Sequence, residues 1–500
     1  MLSFRVCLSL ILLATVCIPI NASDDLNLSE IDSYIVSKMR LPRIPGVAVA
    51  IVKDDRIVYL KGYGEADPSG RAVTPQTSFI IGSVTKSFTA LAVMQLVEAG
   101  RVKLDAPVQR YIPWFRVSDP EASAQITIRQ LLYQTSGLPM IREAQLSTAL
   151  DDGVLERTVR ALEHAKLNFR PGKSFEYSNA NYETLGLIVQ YVSGQLFEDY
   201  VKQHIVAPLD MKNTFLSQQE AVRHGMASGH RWWFGVPVAV TFPYNRAELP
   251  AGYIISSTED MAQYLIAQMN GGCYRGACVL SPSGIELMHT EPAPNTYAMG
   301  WESFVSNGHV LINHDGGTGH FQCAMFFDPQ EKVGVFIAAN AANALDAFSS
   351  PHGSSVLDGS TTRAMAQTVL SMATGRPLPD QGRGLRLLYI IFDAVIFVLT
   401  IVLIISLLRL RKRFRELRRR GIPSRAALLV RIVLLHFVWP LVLLYLIVTV
   451  IDWRVVLFLY QPDLGYWLSA VAIVVVLKGL LELVLLWRVP GQTSGSVSVS

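Results

Sequence analysis

The sequence predicts a mixed α/β chain of the α+β kind: an antiparallel sheet flanked by helices, a helical subdomain, and then three transmembrane helices. Three observations predict it. β-prone stretches lie near both ends of residues 24–377, with helical patterns between them. Such an order joins the terminal strands in one sheet and inserts the helices. Three apolar runs follow, each long enough to cross a hydrocarbon core of about 30 Å. Charged residues are 17% of the chain and hydrophobic residues 50%, fewer charges than the roughly 25% of soluble domains.

The elements follow in order. Arg5 and the apolar run Val6 to Ile18, ending in small residues near Asn21-Ala22-Ser23, predict a signal peptide over residues 1–22. Cys17 invites a lipoprotein reading, but bulky Val16 precedes it, so the plain signal is preferred. Val47 to Val52 and Arg56 to Tyr63 flank an Asp54-Asp55 turn and predict a hairpin. Downstream, Ala298 to Val305, His309 to Asn313, Gln322 to Phe327 and Val333 to Ala339 predict short strands. Between these groups, helices are predicted over Thr85 to Ala99, Ile128 to Tyr133, Val154 to Ala165, Tyr182 to Val192, Phe197 to Ile205 and Thr258 to Met269, and after them over Thr361 to Met372. Gly100 is a normal stop for the first of these helices. Export permits a disulfide, and Cys273 and Cys278 flank a short loop, so they either pair or remain thiols. No Cys or His cluster has zinc spacing, and no metal or organic cofactor is expected.

Residues 378–386 read as a linker, residues 387–487 as the membrane region and residues 488–500 as a cytoplasmic tail. The spans are Leu387 to Leu408, Ile432 to Ile451 and Tyr466 to Leu486. Between the first two lie Arg409, Arg411, Lys412, Arg413, Arg415, Arg418, Arg419, Arg420 and Arg425, opposed only by Glu416. The positive-inside rule makes this loop cytoplasmic and puts the preceding domain outside. The basic cluster has no aromatic face beside it, which argues against nucleic-acid binding. Asp393, His436, Lys478 and Glu482 are ionisable residues in the spans. The simplest account pairs Lys478 with Glu482 at i,i+4 and places Asp393 and Glu482 near the interfaces.

Three motifs carry chemistry. Ser83-Val84-Thr85-Lys86 starts a helix, so Ser83 and Lys86 share a face. A serine needs a base to become a nucleophile, and a buried lysine with a lowered pKa is one. Tyr177-Ser178-Asn179 offers a phenol able to exchange protons and an amide able to hold substrate. His314-Asp315-Gly316-Gly317-Thr318-Gly319 offers glycines where a substrate backbone can approach. The N–H groups of Gly317 and Ser83 together can form an oxyanion hole. Singly, each motif is also read as a helix cap or a glycine turn.

In combination and order, the motifs resemble the serine β-lactamase and penicillin-binding-protein family. The resemblance is to the branch with a middle tyrosine: class C β-lactamases, D-alanyl-D-alanine carboxypeptidases, esterases and D-aminopeptidases. Ile126 to Leu132, Thr135-Ser136-Gly137-Leu138-Pro139, Phe175 to Met211, Ser257 to Ala262 and Met299-Gly300-Trp301 extend it across about Ile44 to Ala342. The resemblance implies that Ser83 is acylated, that Lys86 and Tyr177 exchange protons, and that Asn179, His314 and Gly316 line the substrate site. His314 stands where β-lactamases usually carry lysine, and Tyr133-Gln134 where Thr-His is frequent. An unperturbed histidine is mostly neutral at pH 7, so a substrate carboxylate should bind less well. Asp315, next along the strand, should point to the opposite face.

The expectation is a multi-pass membrane-anchored serine hydrolase with its catalytic domain outside the cytoplasm. Its substrate is expected to be a small molecule or peptide, an amide or ester from the cell envelope, with peptidoglycan-derived peptides first. The competing reading is a retired scaffold that binds or senses an envelope ligand, although Ser83, Lys86 and Tyr177 are all present.

Overall fold

The computed structural model describes residues 26–40, 43–139, 147–241, 244–290, 297–342, 361–379, 384–420, 424–442, 445 and 462–488. The expected signal peptide and residues 489–500 of the expected tail lie outside the described residues.

The strands are β1 (Gly46–Lys53), β2 (Arg56–Gly64), β3 (Ser78–Ile80), β4 (Gly229–Trp233), β5 (Val236–Val240), β6 (Ile255–Ser257), β7 (Cys273–Tyr274), β8 (Ala277–Cys278), β9 (Glu302–Ser306), β10 (His309–Gly317), β11 (Gln322–Asp328), β12 (Val333–Ala339) and β13 (Ala341–Ala342). Six form one antiparallel sheet in the order β2-β1-β12-β11-β10-β9. β1 pairs with β12 from Val47↔Ala339 to Lys53↔Val333, so the two ends of the domain close on each other. Side chains alternate between faces along a strand. On one face Val47, Val49 and Ile51 pack with Ile35, Met365 and Val369 of helices Leu28–Arg40 and Thr361–Ala373. On the other, Ala48, Ala50 and Val52 pack with Phe88, Leu91, Met261 and Leu265 of helices Thr85–Glu98 and Thr258–Met269. Covering both faces explains why β1 reads as a nearly continuous apolar run.

The helical subdomain includes Ile128–Leu132, Val154–Arg160, Asn179–Ser193 and Phe197–Val201. Thr127 and Gln130 form a reciprocal capping box at the first of these, satisfying two N–H groups that a helix start leaves open. Cys273 and Cys278 are disulfide-bonded across β7 and β8, which decides between the two readings left open by the sequence.

Some boundaries differ from expectation. The strand expected over Ala298 to Val305 is β9, beginning at Glu302. Gly300, at φ 79°, turns the chain before it. The basic loop expected after the first span is instead helical, because one helix runs unbroken from Gly384 to Arg420. Arg and Lys are good helix formers, and nothing in that stretch breaks the pattern. The same helix begins inside the expected linker. The second and third apolar helices also begin earlier than read, at Arg425 and Pro462, each at a favourable start: Ser424 caps the one, and Pro sits first in the other. Residues 446–451 of the expected second span lie outside the described residues. Among the described residues, three helices are long and apolar enough to cross a membrane, over Asp393–Glu416, Arg425–Val442 and Gly465–Trp487.

Candidate active site

β3 pairs with β6, and the chain then turns at Gly82 into a single 3-10 turn that carries Ser83. The helix Thr85–Glu98 follows at once, so Lys86 sits one turn beyond Ser83. Lys86 is fully buried. Its Nζ donates to Ala251 O at 2.7 Å, Asn179 Oδ1 at 2.8 Å and Ser83 Oγ at 3.1 Å. The carbonyl of Ala251 is held in place by its neighbours. Thr89 Oγ1 donates to Pro250 O at 2.6 Å and Ile254 N to Thr85 Oγ1 at 3.2 Å.

Burial drives the Lys86 ammonium down to about 7, against the opposing pull of Glu248 and Glu183. Removing a charge from water disfavours it, which is the dominant cause here. A neutral amine has two N–H groups and one lone pair. With the shorter contacts to Ala251 and Asn179 taking the N–H groups, the lone pair is left facing Ser83 Oγ. The geometry therefore suits Lys86 to accept the Ser83 proton.

Asn179 opens the helix Asn179–Ser193, and its amide also donates to the Glu248 carboxylate. That second bond fixes which end of the amide faces Lys86. The Tyr177 ring lies with its centroid 4.7 Å from Lys86 Nζ and 6.4 Å from the His314 ring. Gln134, at the expected departure Tyr133-Gln134, holds this motif from below. Its Oε1 accepts from Ser178 N at 3.0 Å and from the Asn181 amide.

His314 is buried on β10. Its Nδ1 lies 2.6 Å from Asp315 O, and its Nε2 3.3 Å from Tyr297 Oη. A carbonyl oxygen only accepts, so Nδ1 carries the hydrogen. Asp315 points to the other face of the sheet, where Arg363 Nη1 meets it at 2.6 Å.

Two glycines let the first and third motifs touch. A Cβ on Gly82 would stand 2.3 Å from Gly317 N, and one on Gly316 2.0 Å from Ile81 O. Gly82 also has φ 53°, a region favouring glycine. The end of β10 thus lies directly against the segment that carries Ser83. Ser83, Lys86, Tyr177, Asn179, His314, Gly316 and Gly317, far apart in sequence, meet at one place.

The sequence reading did not identify Glu183 and Glu248, the two buried carboxyls beside Lys86. Burial and mutual repulsion push Glu183 well above the usual carboxylate range, and burial raises Glu248 to about 7. The available signal was a charged residue within the otherwise apolar run Tyr182 to Val189. Among the described residues, no three His, Cys, Asp or Glu side chains are grouped to hold a metal.

Residues 31–351 match the family described as Beta-lactamase. Protein flp of Staphylococcus aureus (strain MW2) is 33% identical over 313 residues, which are 62% of this chain and 62% of that protein. The chain thus spans 62% of the length of these curated relatives. Penicillin-binding protein 4 of Amycolatopsis lactamdurans is 29% identical over 289 residues, 55% of this chain and 75% of that one. The octameric penicillin-binding protein homologue from Pyrococcus abyssi superposes with TM-score 0.60 at 28% identity, over 71% of this chain and 79% of its own. D-alanine carboxypeptidase AmpC from Burkholderia cenocepacia shares the fold, with TM-score 0.53 at 24% identity, over 63% of this chain and 93% of its own.

Proposed function

The chain belongs to the beta-lactamase family of penicillin-binding-like serine hydrolases, and on that premise we propose a membrane-anchored enzyme that acts through an acyl-enzyme on Ser83. The contact that carries the reading is Lys86 Nζ to Ser83 Oγ at 3.1 Å, from a lysine whose ammonium is disfavoured by burial.

Lys86 takes the Ser83 hydroxyl proton as Oγ attacks the carbonyl carbon of an amide or ester. The developing oxyanion is met by the N–H groups of Ser83 and Gly317. The carbon–nitrogen or carbon–oxygen bond breaks, and the leaving group receives a proton through Lys86 and Tyr177. Water then attacks the Ser83 ester and gives its proton to the same pair. The carbon–Oγ bond breaks, the pair returns that proton to Ser83 Oγ, and the acid product departs. Asn179 and His314 hold the substrate beside Gly316.

The substrate class we favour is a cell-envelope peptide or ester. Relatives named penicillin-binding protein and a fold neighbour named D-alanine carboxypeptidase support it. The three apolar helices anchor the chain, and the basic end of the first stays in the cytoplasm. The domain then faces the envelope.

The experiment is mass spectrometry after exposure to a fluorophosphonate, beside the Ser83→Ala variant. A single adduct on the Ser83 peptide, lost in the variant, is expected. An adduct that persists in Ser83→Ala removes Ser83 from the mechanism. A D-alanyl-D-alanine peptide that releases no D-alanine, while a nitrophenyl ester is hydrolysed, would exclude the carboxypeptidase form.

A further inference from the structure

The hairpin of β4 and β5 takes no part in the chemistry at Ser83, yet its tip is built against local preference. The strands pair from Gly229↔Val240 to Trp233↔Val236. Phe234 and Gly235 are left as a two-residue turn with φ of 47° and 75°. Turns of that geometry favour Asn-Gly or Asp-Gly, because both central residues have positive φ. A bulky aromatic there is strained. Phe234 is also 48% exposed, so its ring recovers little by burial. Strain that serves neither the turn nor the core points to a role outside the domain.

The rest of the hairpin shows what that role is. Residues directly opposite on paired strands share a face. Val236 and Val238 therefore lie on the face of Trp233 and Arg231, and they are 48% and 40% exposed. With Phe234 they make an apolar strip along an edge strand. The strip adjoins two of the three apolar helices. Phe234 N donates to Asp463 Oδ2 at 2.9 Å, and Trp233 stacks on Tyr466 with ring centroids 5.8 Å apart. A Cβ on Gly235 would lie 3.6 Å from Asp393 Oδ2. Asp463 stands at the start of its helix, and Asp393 lies in the half of the first helix away from the basic cluster. Tryptophan and tyrosine gather where a bilayer meets water; Trp233 and Tyr466 stand together here.

We propose that the β4–β5 hairpin is a bilayer-docking element, with Phe234, Val236 and Val238 seated in the boundary between headgroups and acyl chains of the outer leaflet. This rests on the three helices crossing the membrane as proposed above. The hairpin also reaches the catalytic cleft at its other end. His230 N donates to His320 O at 3.3 Å, and Arg231 Nε to Gly319 O at 3.4 Å. These are the last residues of the glycine loop that follows His314. The four residue steps from His230 to Phe234 span about 13 Å at roughly 3.3 Å each. The docked hairpin therefore holds that loop a fixed, short height above the lipid.

The test is the depth of a nitroxide label on the full-length chain in lipid nanodiscs, attached in turn to Phe234→Cys and Val238→Cys. Asp55→Cys, in the exposed β1–β2 turn, is the water reference, and Leu399→Cys, in the first apolar helix, is the lipid reference. The expected result is a ratio of oxygen to nickel-chelate accessibility several-fold above that at Asp55→Cys, for both hairpin labels. Hairpin labels matching Asp55→Cys, with Leu399→Cys in lipid, would overturn the docking while leaving the membrane anchor intact. Water exposure at Leu399→Cys as well would instead remove the anchor itself. Dipolar broadening between hairpin labels would show a second copy of the chain on the strip and would also overturn it. Val238→Cys keeps the test decisive where Phe234→Cys disturbs the turn.

Discussion

Lys86 has three hydrogen-bond contacts on one nitrogen, and its charge depends on the carboxyls behind it. Glu248 and Glu183 each favour the ammonium, while burial favours the amine and wins, down to about 7. A general base works when it is unprotonated. The rate with a neutral ester should therefore fall as pH drops through about 7, the window set by Lys86 and Glu248 titrating together. Replacing Glu248 by Gln removes a negative charge that favours protonated Lys86. The acid limb of the pH–rate profile should then move to lower pH. Glu183→Gln should move it the same way but less, since the pull of Glu183 on Lys86 is the smaller of the two. An acid limb unmoved in Glu248→Gln would sever Glu248 from Lys86. Ser83, Lys86, Tyr177 and His314 were legible in the sequence because their chemistry comes with local spacing. Glu183 and Glu248 were not, since a buried carboxyl and a surface one are spelled the same way. Burial is decided by helices brought together from distant parts of the chain.

Between elements, the site depends on β10 packing closely against the segment that leads into Ser83. Gly316 has Ile81 O and Cys323 Sγ within 2.0 and 2.6 Å of where a Cβ would stand. Backbone cannot yield as a flexible side chain does. Gly316→Ala should therefore cost about 3 kcal/mol or more, and should abolish fluorophosphonate labelling as the first and third motifs separate. Gly308→Ala is the contrasting control, because Gly308 has positive φ, 82°, and nothing within 4 Å, whereas Gly316 is crowded without a positive φ. It should lose about 1 kcal/mol, the cost of the left-handed backbone alone. Denaturant unfolding of both variants checks the difference, and equal losses would deny the crossing its role. Strands of the main sheet were legible because β-prone runs met clear turns, as in Val47 to Val52 and Gln322 to Phe327. β3 and β6 are three residues each, too short to show a period. β4 and β5 were missed for another reason. Their tryptophans, proline and exposed valines do not alternate as a half-buried strand should, and the strip beside the apolar helices accounts for that.

At the scale of the whole molecule, the basic cluster and the apolar helices form one device. The first helix carries Arg409, Arg411, Lys412, Arg413, Arg415, Arg418, Arg419 and Arg420 at one end, and Arg425 begins the next helix. Moving any one of them to mid-bilayer costs about 2.5–3.5 kcal/mol on insertion scales, which keeps this end out of the hydrocarbon, and the positive-inside rule is the ground for the proposal that it lies in the cytoplasm. The second and third helices are tied inside the bundle. Lys478 Nζ lies 3.1 Å from His436 Nε2 and 3.4 Å from Glu482 Oε1. The Lys478–Glu482 pair was legible from its i,i+4 spacing, whereas His436 joins from another helix that no spacing rule connects. With the basic end inside, three crossings put the domain and the third helix's end at Trp487 on opposite sides. An alkaline phosphatase reporter, active only outside the cytoplasm, should be active when fused after Pro379 and inactive when fused after Arg420. Replacing Arg409 to Arg420 by Gln, arginine by arginine and with Lys412 included, should blur that contrast, since the charge asymmetry sets the orientation. Activity after Arg420 in the unaltered chain would place the basic end outside. It would then detach the catalytic cleft from the envelope, and the hairpin from the outer leaflet.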